Sequence, residues 1–534
     1  MKLFGFRGGV HPEALKQHTA DHPISTLPLP AALYLPLQQH VGEPAEPEVS
    51  PGDYVYKGQL LARSQGQISA PVHAPSSGTV VAIDEFPAPH PSGLPVKTVI
   101  LETDGKDHWS PAWTTPTDPW SLRPEEIARE VGLAGVVGMG GATFPSAVKL
   151  GQSLQYPIHN LIINGSECEP YLSCDDRLMR ERAPQLIDGI RLTAHALQAK
   201  QATVAIEDNK PEAFAAMSAA AKGINQLNVI RVPSRYPMGW DKQLIRIITG
   251  REVPVGARSA SIGVCVHNVG TVYAIQQALC AGTPLLSRVI TVAGGAIAKP
   301  QNLEVPVGTL VSEVIKYCGG LNEEPARLVM GGPMMGQIVP HTGVPLVKGS
   351  SGVLALTARE VDDGPERPCI RCRRCVEACP VGLMPVEMAA RLRADDIDGA
   401  VDYGVQDCIG CSCCSYVCPA KIPLVQYFNY ARGVLDCRQT ATRKAQQTRE
   451  MALARQQRLA SQQAARDARK AAKTEDKAKN NTKNNIKNTR PASKNPDRPA
   501  SGDDAGTQHK GAAANIIATD SRVTDIPLQS EQLS

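Results

Sequence analysis

Two cysteine runs constrain this chain more than any other feature. The first reads Cys369-Ile-Arg-Cys372-Arg-Arg-Cys375-Val-Glu-Ala-Cys379-Pro380. The second reads Cys408-Ile-Gly-Cys411-Ser-Cys-Cys414-Ser-Tyr-Val-Cys418-Pro419. Both have the spacing C-x2-C-x2-C-x3-C-P, in which three cysteines of a run surround one iron–sulfur cubane and the fourth reaches the other. Two residues between ligands let a short loop wrap three corners with its N–H groups turned toward the sulfides. The assignment is therefore crossed: Cys369, Cys372, Cys375 and Cys418 for one 4Fe-4S cluster, Cys408, Cys411, Cys414 and Cys379 for the other. Structural zinc pairs two C-x2-C halves into a single tetrahedral set, and two complete runs ending in proline do not fit it. Cys413 is out of register beside Cys414 and reads as a bystander. Arg371, Arg373 and Arg374 read first as solvated side chains; positive charge there would also raise a cluster potential or meet an acidic partner.

Metal ligation needs reduced thiols. Of fifteen cysteines, eight belong to these runs, and the start Met1-Lys-Leu-Phe-Gly-Phe-Arg-Gly-Gly lacks the apolar stretch and cleavage site of a secretory signal. A reducing compartment is expected. No run approaches eighteen apolar residues, so a membrane role is expected to be peripheral. The net charge of +4 divides unevenly: residues 438–534 carry 19 basic and 10 acidic side chains, residues 1–437 carry 37 and 42. A mildly acidic body argues against a nucleic-acid partner.

The 534 residues suffice for several cores. Residues 1–115 are rich in Pro and Gly with short β-prone runs such as Gly78-Thr-Val-Val-Ala-Ile83. Val49-Ser-Pro-Gly-Asp-Tyr-Val-Tyr-Lys-Gly-Gln-Leu60 and Ala70-Pro-Val-His-Ala-Pro-Ser-Ser-Gly-Thr-Val80 resemble a lipoyl/biotinyl-type barrel-sandwich without the Met-Lys-Met tip that carries a cofactor. Over 120–280, helical composition at 124–132 and 185–199 alternates with the apolar runs Leu161-Ile-Ile-Asn164, Thr203-Val-Ala-Ile206 and Val229-Ile-Arg-Val232. That alternation predicts an α/β layer with parallel strands. A small unit over 285–345 reads strand, turn, helix; the cysteine block occupies 360–432. Residues 438–534 form a basic low-complexity tail, helical on propensity over 449–479 and disordered by composition past Asn480.

A donor to the clusters is suggested by Gly135-Val-Val-Gly138-Met-Gly140-Gly141-Ala-Thr-Phe144-Pro-Ser-Ala-Val-Lys149. Glycines let backbone N–H groups approach a phosphate, and the lysine adds a point charge. Asn164-Gly-Ser-Glu167-Cys-Glu169-Pro170 follows a strand end, where α/β proteins bind ligands. Together these resemble the NADH- and FMN-binding subunit of respiratory complex I, with its G-x-G-G-A-G-F-P, lysine and N-A-D-E-x-E-P pattern. The resemblance implies that Gly138, Gly140, Gly141 and Lys149 hold FMN phosphate and ribityl. It implies that Asn164 and Glu167 contact the flavin, and that Phe144 and Glu169 lie near the nicotinamide nucleotide. Val266-His267-Asn268-Val-Gly-Thr271 is similar to that family's N-N-V-E-T, adding Asn268 and Thr271. Ser166 and Thr143 depart from the pattern, standing where Asp and Gly are usual.

The order of modules over residues 1–435 resembles the RnfC family, the NADH-input subunits of Rnf (Rsx) ion-translocating electron transport complexes. The opening Phe4-Gly-Phe-Arg-Gly-Gly-Val-His-Pro12 and Glu207-Asp-Asn-Lys-Pro-Glu-Ala213 share in it. The resemblance implies a barrel-sandwich N-domain, a complex-I-like flavin domain, an SLBB-like β-grasp unit and a double-cluster ferredoxin-type module. It implies NADH oxidation through FMN, two 4Fe-4S clusters, membrane-complex partners and a peripheral place on the cytoplasmic face of the inner membrane. A second expectation is an iron–sulfur relay and scaffold with a degenerate flavin site.

Overall fold

The computed structural model describes residues 3–111, 114, 118–361 and 364–486. The disorder expected past Asn480 falls mostly on 487–534, outside the described residues.

Short Pro/Gly-punctuated strands at the N-terminus pair into two antiparallel sheets. One has the order Ala32–Pro36, Pro95–Thr103, Gly78–Pro87, Tyr54–Val55; the other joins Glu46–Pro47, Leu60–Arg63 and Val72–His73. Alternating side chains point inward, and Leu33, Leu35, Leu61, Val80, Val99 and Leu101 are fully buried between the sheets. This is the expected barrel-sandwich.

The next layer is a four-stranded parallel sheet. Its strands are β1 (Asn160–Gly165), β2 (Gln201–Glu207), β3 (Leu227–Val232) and β4 (Val264–Asn268), in the spatial order β3-β2-β1-β4. Helices cover it, among them α1 (Cys174–Glu181) and α2 (Val269–Cys280). Covering both faces explains the continuous apolar runs: Leu161, Ile162 and Ile163 are all fully buried. The chain steps outward from β1 to β3 and then returns to the other side of β1. The order therefore reverses between β1 and β4, the switch point at which open α/β sheets bind ligands.

A six-stranded mixed sheet follows, built on β5 (Ser287–Ala293) and β6 (Gln301–Pro306). It recruits Ser25–Thr26 at one edge and continues through β9 (Gly352–Leu356), β7 (Arg327–Met330) and β8 (Gln337–Ile338). The loop between β7 and β8 carries Gly331-Gly-Pro-Met-Met-Gly336. The cysteine block packs on a core of Met388, Leu392, Val405 and Phe428. It contains the short helices α3 (Arg374–Ala378) and α4 (Cys413–Tyr416). The last helix, Leu424–Ile486, continues into the basic segment, where Ala, Gln, Lys and Arg favour helix and every side chain of residues 438–479 is exposed.

The N-terminal segment ties these layers together. Phe4 donates its N–H to Ile247 O at 2.9 Å, Gly9 to Ala378 O at 2.9 Å, and Val10 exchanges backbone bonds with Tyr236 at 2.9 and 3.0 Å. Gly8 sits at φ +72 where a Cβ would fall 2.4 Å from Cys379 O. Only glycine lets the strap pass this closely in a left-handed conformation. Residues 8–10 are thus wedged between the cysteine block and the α/β layer.

Candidate redox centres

The glycine-rich stretch folds as a loop closed by a bridge between Val137 and Pro145. Gly138 N–H donates to Phe144 O at 2.7 Å, and Met139 N–H to the buried Thr271 hydroxyl at 2.9 Å. The second bond ties the loop to the first turn of α2. Gly140 has φ +73, and a Cβ there would sit 3.0 Å from the Asn268 amide, so the loop can lie on Asn268 only as glycine. Gly141 faces open space, with nothing within 4 Å of its Cβ position. Thr143 takes a left-handed φ of 51, a conformation that suits the glycine it replaces. Phe144 is half-buried. Lys149, in a short helix (Ser146–Leu150), donates to the Val266 carbonyl of β4.

Asn164 and Asn268 end the two strands that flank the switch point. Asn164 donates to Gly239 O at 2.8 Å and accepts from Ser166 N–H at 3.0 Å. Asn268 caps α2 by accepting from Gly270 N–H at 2.7 Å, and its amide donates to the Asp175 carboxylate at 2.7 Å. Glu167, at φ 49, turns its carboxylate onto the N-terminus of α1, accepting from Asp175 N–H at 2.7 Å and Asp176 N–H at 3.2 Å. Burial pushes the Glu167 carboxyl up, against the pull of the Lys16 ammonium. Lys16 reaches Glu167 O at 2.5 Å, and the buried Lys210 reaches Ser166 O at 2.7 Å and Glu207 at 3.0 Å. These two lysines hold the turn from behind.

Glu169 is clamped from another layer. Its carboxylate accepts N–H bonds from Met334 at 2.9 Å and Met335 at 3.0 Å, both on the β7–β8 loop. Burial pushes this carboxyl up to about 7 despite those bonds. Cys168, between the two glutamates, accepts from Gly239 N–H at 3.4 Å, and burial pushes its thiol to about 12. Cys174 is likewise raised by burial and donates to Ser351 O at 3.3 Å. Neither offers the thiolate a nucleophile requires. A cavity of about 440 Å³ begins at Met139, Asp175 and Gly270 and continues toward Lys57, Trp109 and Arg288. Its size lies in the range of small-molecule sites.

The two cysteine loops share one backbone design. Arg371 and Arg373 in the first, and Gly410 and Ser412 in the second, occupy the same two left-handed positions. In each, the residue two beyond the first cysteine turns its N–H onto that sulfur: Arg371 to Cys369 at 3.4 Å, Gly410 to Cys408. Burial raises the Cys375 thiol, and the neighbouring Cys418 and Cys372 raise it further. Cys379, Cys408, Cys411 and Cys414 line one shared cavity. Among the described residues, the group that brings three ligand atoms within 4.8 Å is Glu167, Cys174 and Asp175, beside the two lysines; no three sulfurs of the runs do so. One tetrahedral zinc requires sulfurs about 3.8 Å apart, so the wider spacing suits a polynuclear cluster. Cys413 is fully buried and packs with Tyr236 and Val10.

Several residues here escaped sequence reading. Lys16, Tyr236, Gly239, Met334 and Met335 come from segments far apart in the chain, and hydrogen-bond the expected site residues or pack beside them. Paired glycines at 8–9 and the Gly331–Gly336 loop were the available signals, yet neither names its contact.

Comparison with known proteins finds four family models along the chain. They are the RnfC barrel sandwich hybrid domain over 4–106, the Nuo51 FMN-binding domain over 131–277, the SLBB domain over 289–337 and the 4Fe-4S dicluster domain over 368–422. Among similar proteins is the C-type subunit of the ion-translocating oxidoreductase complex of Rhodobacter capsulatus. It is 50% identical over 441 residues, covering 82% of this chain and 85% of the relative. The corresponding subunit of the proton-translocating ferredoxin:NAD(+) oxidoreductase complex of Clostridium ljungdahlii is 42% identical, covering 81% and 94%. A solved NAD+-reducing [NiFe]-hydrogenase chain aligns over 56% of this chain and 61% of its own, at 20% identity and a TM-score of 0.42.

Proposed function

The chain belongs to the RnfC family of ion-translocating oxidoreductase complex subunits, and on that premise we propose that it oxidises NADH at bound FMN and relays single electrons through two 4Fe-4S clusters. One observation carries the reading: the glycine loop, Asn164 to Glu169 and Asn268 to Thr271 meet at the switch point between β1 and β4, within one compact unit with the cysteine block. Bound flavin would supply the conversion between two-electron and one-electron transfer that nicotinamide alone lacks.

The chain's own residues supply placement. Gly138, Gly140 and Gly141 form a loop with one face open, and Gly141 leaves room for close backbone approach. Asn268 and Thr271 fix that loop against the N-terminus of α2, whose partial positive charge favours a phosphate. Lys149 lies at the far end of the loop, on the Val266 carbonyl. Asn164 and Glu167 present a turn braced by Lys16 and Lys210. Glu169, near neutrality at pH 7, would face the nicotinamide nucleotide with its proton as a donor, beside Phe144. The crossed sets of four cysteines would hold the clusters.

No described helix is long and apolar enough to cross a membrane, so the reading includes membrane-embedded partner subunits and a peripheral place on the cytoplasmic face. The boundaries proposed for the modules are 1–115, 120–280, 285–345, 360–432 and the tail from 438.

The test is direct. The full chain is purified anaerobically, its clusters reconstituted, FMN supplied and NADH added, with flavin and cluster absorbance followed. Bleaching of both supports the reading. No FMN binding together with no bleaching leaves the alternative, an iron–sulfur relay and scaffold. Thr143 in a left-handed position and Glu169 already engaged by Met334 and Met335 are the observations that favour that alternative.

A further inference from the structure

The two cysteine loops are near copies, yet their surroundings differ. In the second, Cys411 and Cys413 pack with Tyr236 and Val10, and Ile409 joins them with Cys168 and Met334. That face of the loop is covered by the α/β layer at the segment bearing Glu169. Cys379, Cys411 and Cys414 are buried accordingly.

The corresponding face of the first loop is bare. Cys369 and Cys372 are exposed, and Ile370, the counterpart of Ile409, is 70% exposed. Where the covered loop has the small Gly410, Ser412 and Cys413, the bare loop has Arg371, Arg373 and Arg374, all exposed. Two of these arginines hold left-handed conformations, at φ 54 and 63, that cost roughly 1 kcal/mol each for a side chain with a Cβ. Arg367 extends the patch, while Glu366 beside it is engaged by Arg393. Glu377 is the acidic side chain on α3.

We propose that this bare loop is the port through which electrons leave the protein, and that it docks an acidic surface of a partner subunit carrying a one-electron redox centre. The inference rests on the proposed NADH oxidation and extends it by ordering the clusters. The cluster of Cys408, Cys411, Cys414 and Cys379 lies on the flavin side. The cluster of Cys369, Cys372, Cys375 and Cys418 lies on the partner side. NADH is oxidised, giving two electrons that depart one at a time, and the partner's centre is reduced by one electron at each transfer. Ile370 supplies the apolar centre of the contact and the arginines its charged rim. Rim charges act mainly on association rate and on its salt dependence.

The experiment compares full-length wild type with R371E/R373E/R374E and with R374E alone, which avoids the left-handed positions. Partner membranes come from a strain lacking only this protein. Both variants are to keep full iron content and unchanged NADH-driven bleaching in isolation. Dithionite-reduced protein is then mixed with the membranes, which bypasses NADH and flavin, and cluster reoxidation is timed. The triple variant is expected to transfer at least about tenfold more slowly at low salt and to converge with wild type at high salt, with R374E intermediate. Equal rates at low salt overturn the proposal, as does slowed NADH-driven bleaching in an isolated variant that retains its iron. Failure of wild type to bleach with NADH, while dithionite-driven transfer still depends on the arginines, counts against the NADH reading and leaves the port standing.

Discussion

Asn164 and Asn268 are register partners at the ends of adjacent parallel strands, one on each side of the point where the strand order reverses. Their side chains diverge to different tasks. Asn164 secures Gly239, whereas Asn268 caps α2, supports Gly140 and holds Asp175. Asn268→Ala should cost about 1 kcal/mol of stability as a lost N-cap, together with a drop in FMN affinity on the order of tenfold. Thermal unfolding and an FMN titration check both. A variant that loses stability but binds FMN as wild type does would confine Asn268 to a structural role.

Glu169 gives a pH signature. Its carboxyl is raised from 4.5 to about 7 in the folded protein, so the folded state holds this proton more tightly than the unfolded one. The stability linked to it is complete below about 4.5 and is lost as pH rises through 7, on the order of 3 kcal/mol across that window. Wild type measured against Glu169→Gln from pH 4.5 to 8 should lose ground steadily, other titrating groups cancelling in the difference. A flat difference would show that the clamp from Met334 and Met335 outweighs burial.

Gly8 is the tightest point of the N-terminal strap. Gly8→Ala introduces a Cβ 2.4 Å from Cys379 O at φ +72, so destabilisation of about 2–3 kcal/mol is expected. NADH-driven cluster reduction should also slow, because the strap lies between Tyr236 and Ala378. Gly52→Ala separates the contributions. Its φ is +98, with nothing within 4 Å of the Cβ position, so it reports the backbone cost alone.

The cysteine assignment predicts an asymmetry between neighbouring thiols. Cys375→Ala should lose close to one cluster, about four irons, whereas Cys413→Val should retain its iron because Cys413 packs against Tyr236. Iron analysis with low-temperature EPR distinguishes them. Full iron content in Cys375→Ala would refute its place as a ligand.

Much of the candidate site was legible in local sequence because its chemistry is local. A cysteine loop ligates through spacing, a glycine loop approaches phosphate through its own missing side chains, and alternating strand and helix patterns announce the parallel layer. Asn164 and Asn268 stood out for the same reason, each ending an apolar run. What lay beyond reach were contacts made across the fold. Nothing near Glu169 in the chain announces Met334, and nothing near Tyr236 announces Val10 or Cys413.

The cysteine runs alone determined how many clusters the chain is built to hold and which sulfurs serve each. Tertiary structure alone decided the difference between the two loops. Their sequences specify nearly the same backbone, since that backbone is set by short-range geometry around the ligands. Burial is set by whatever else folds against a surface, and here the strap and the α/β layer cover Ile409 while Ile370 stays bare. The direction of the relay lies in that asymmetry.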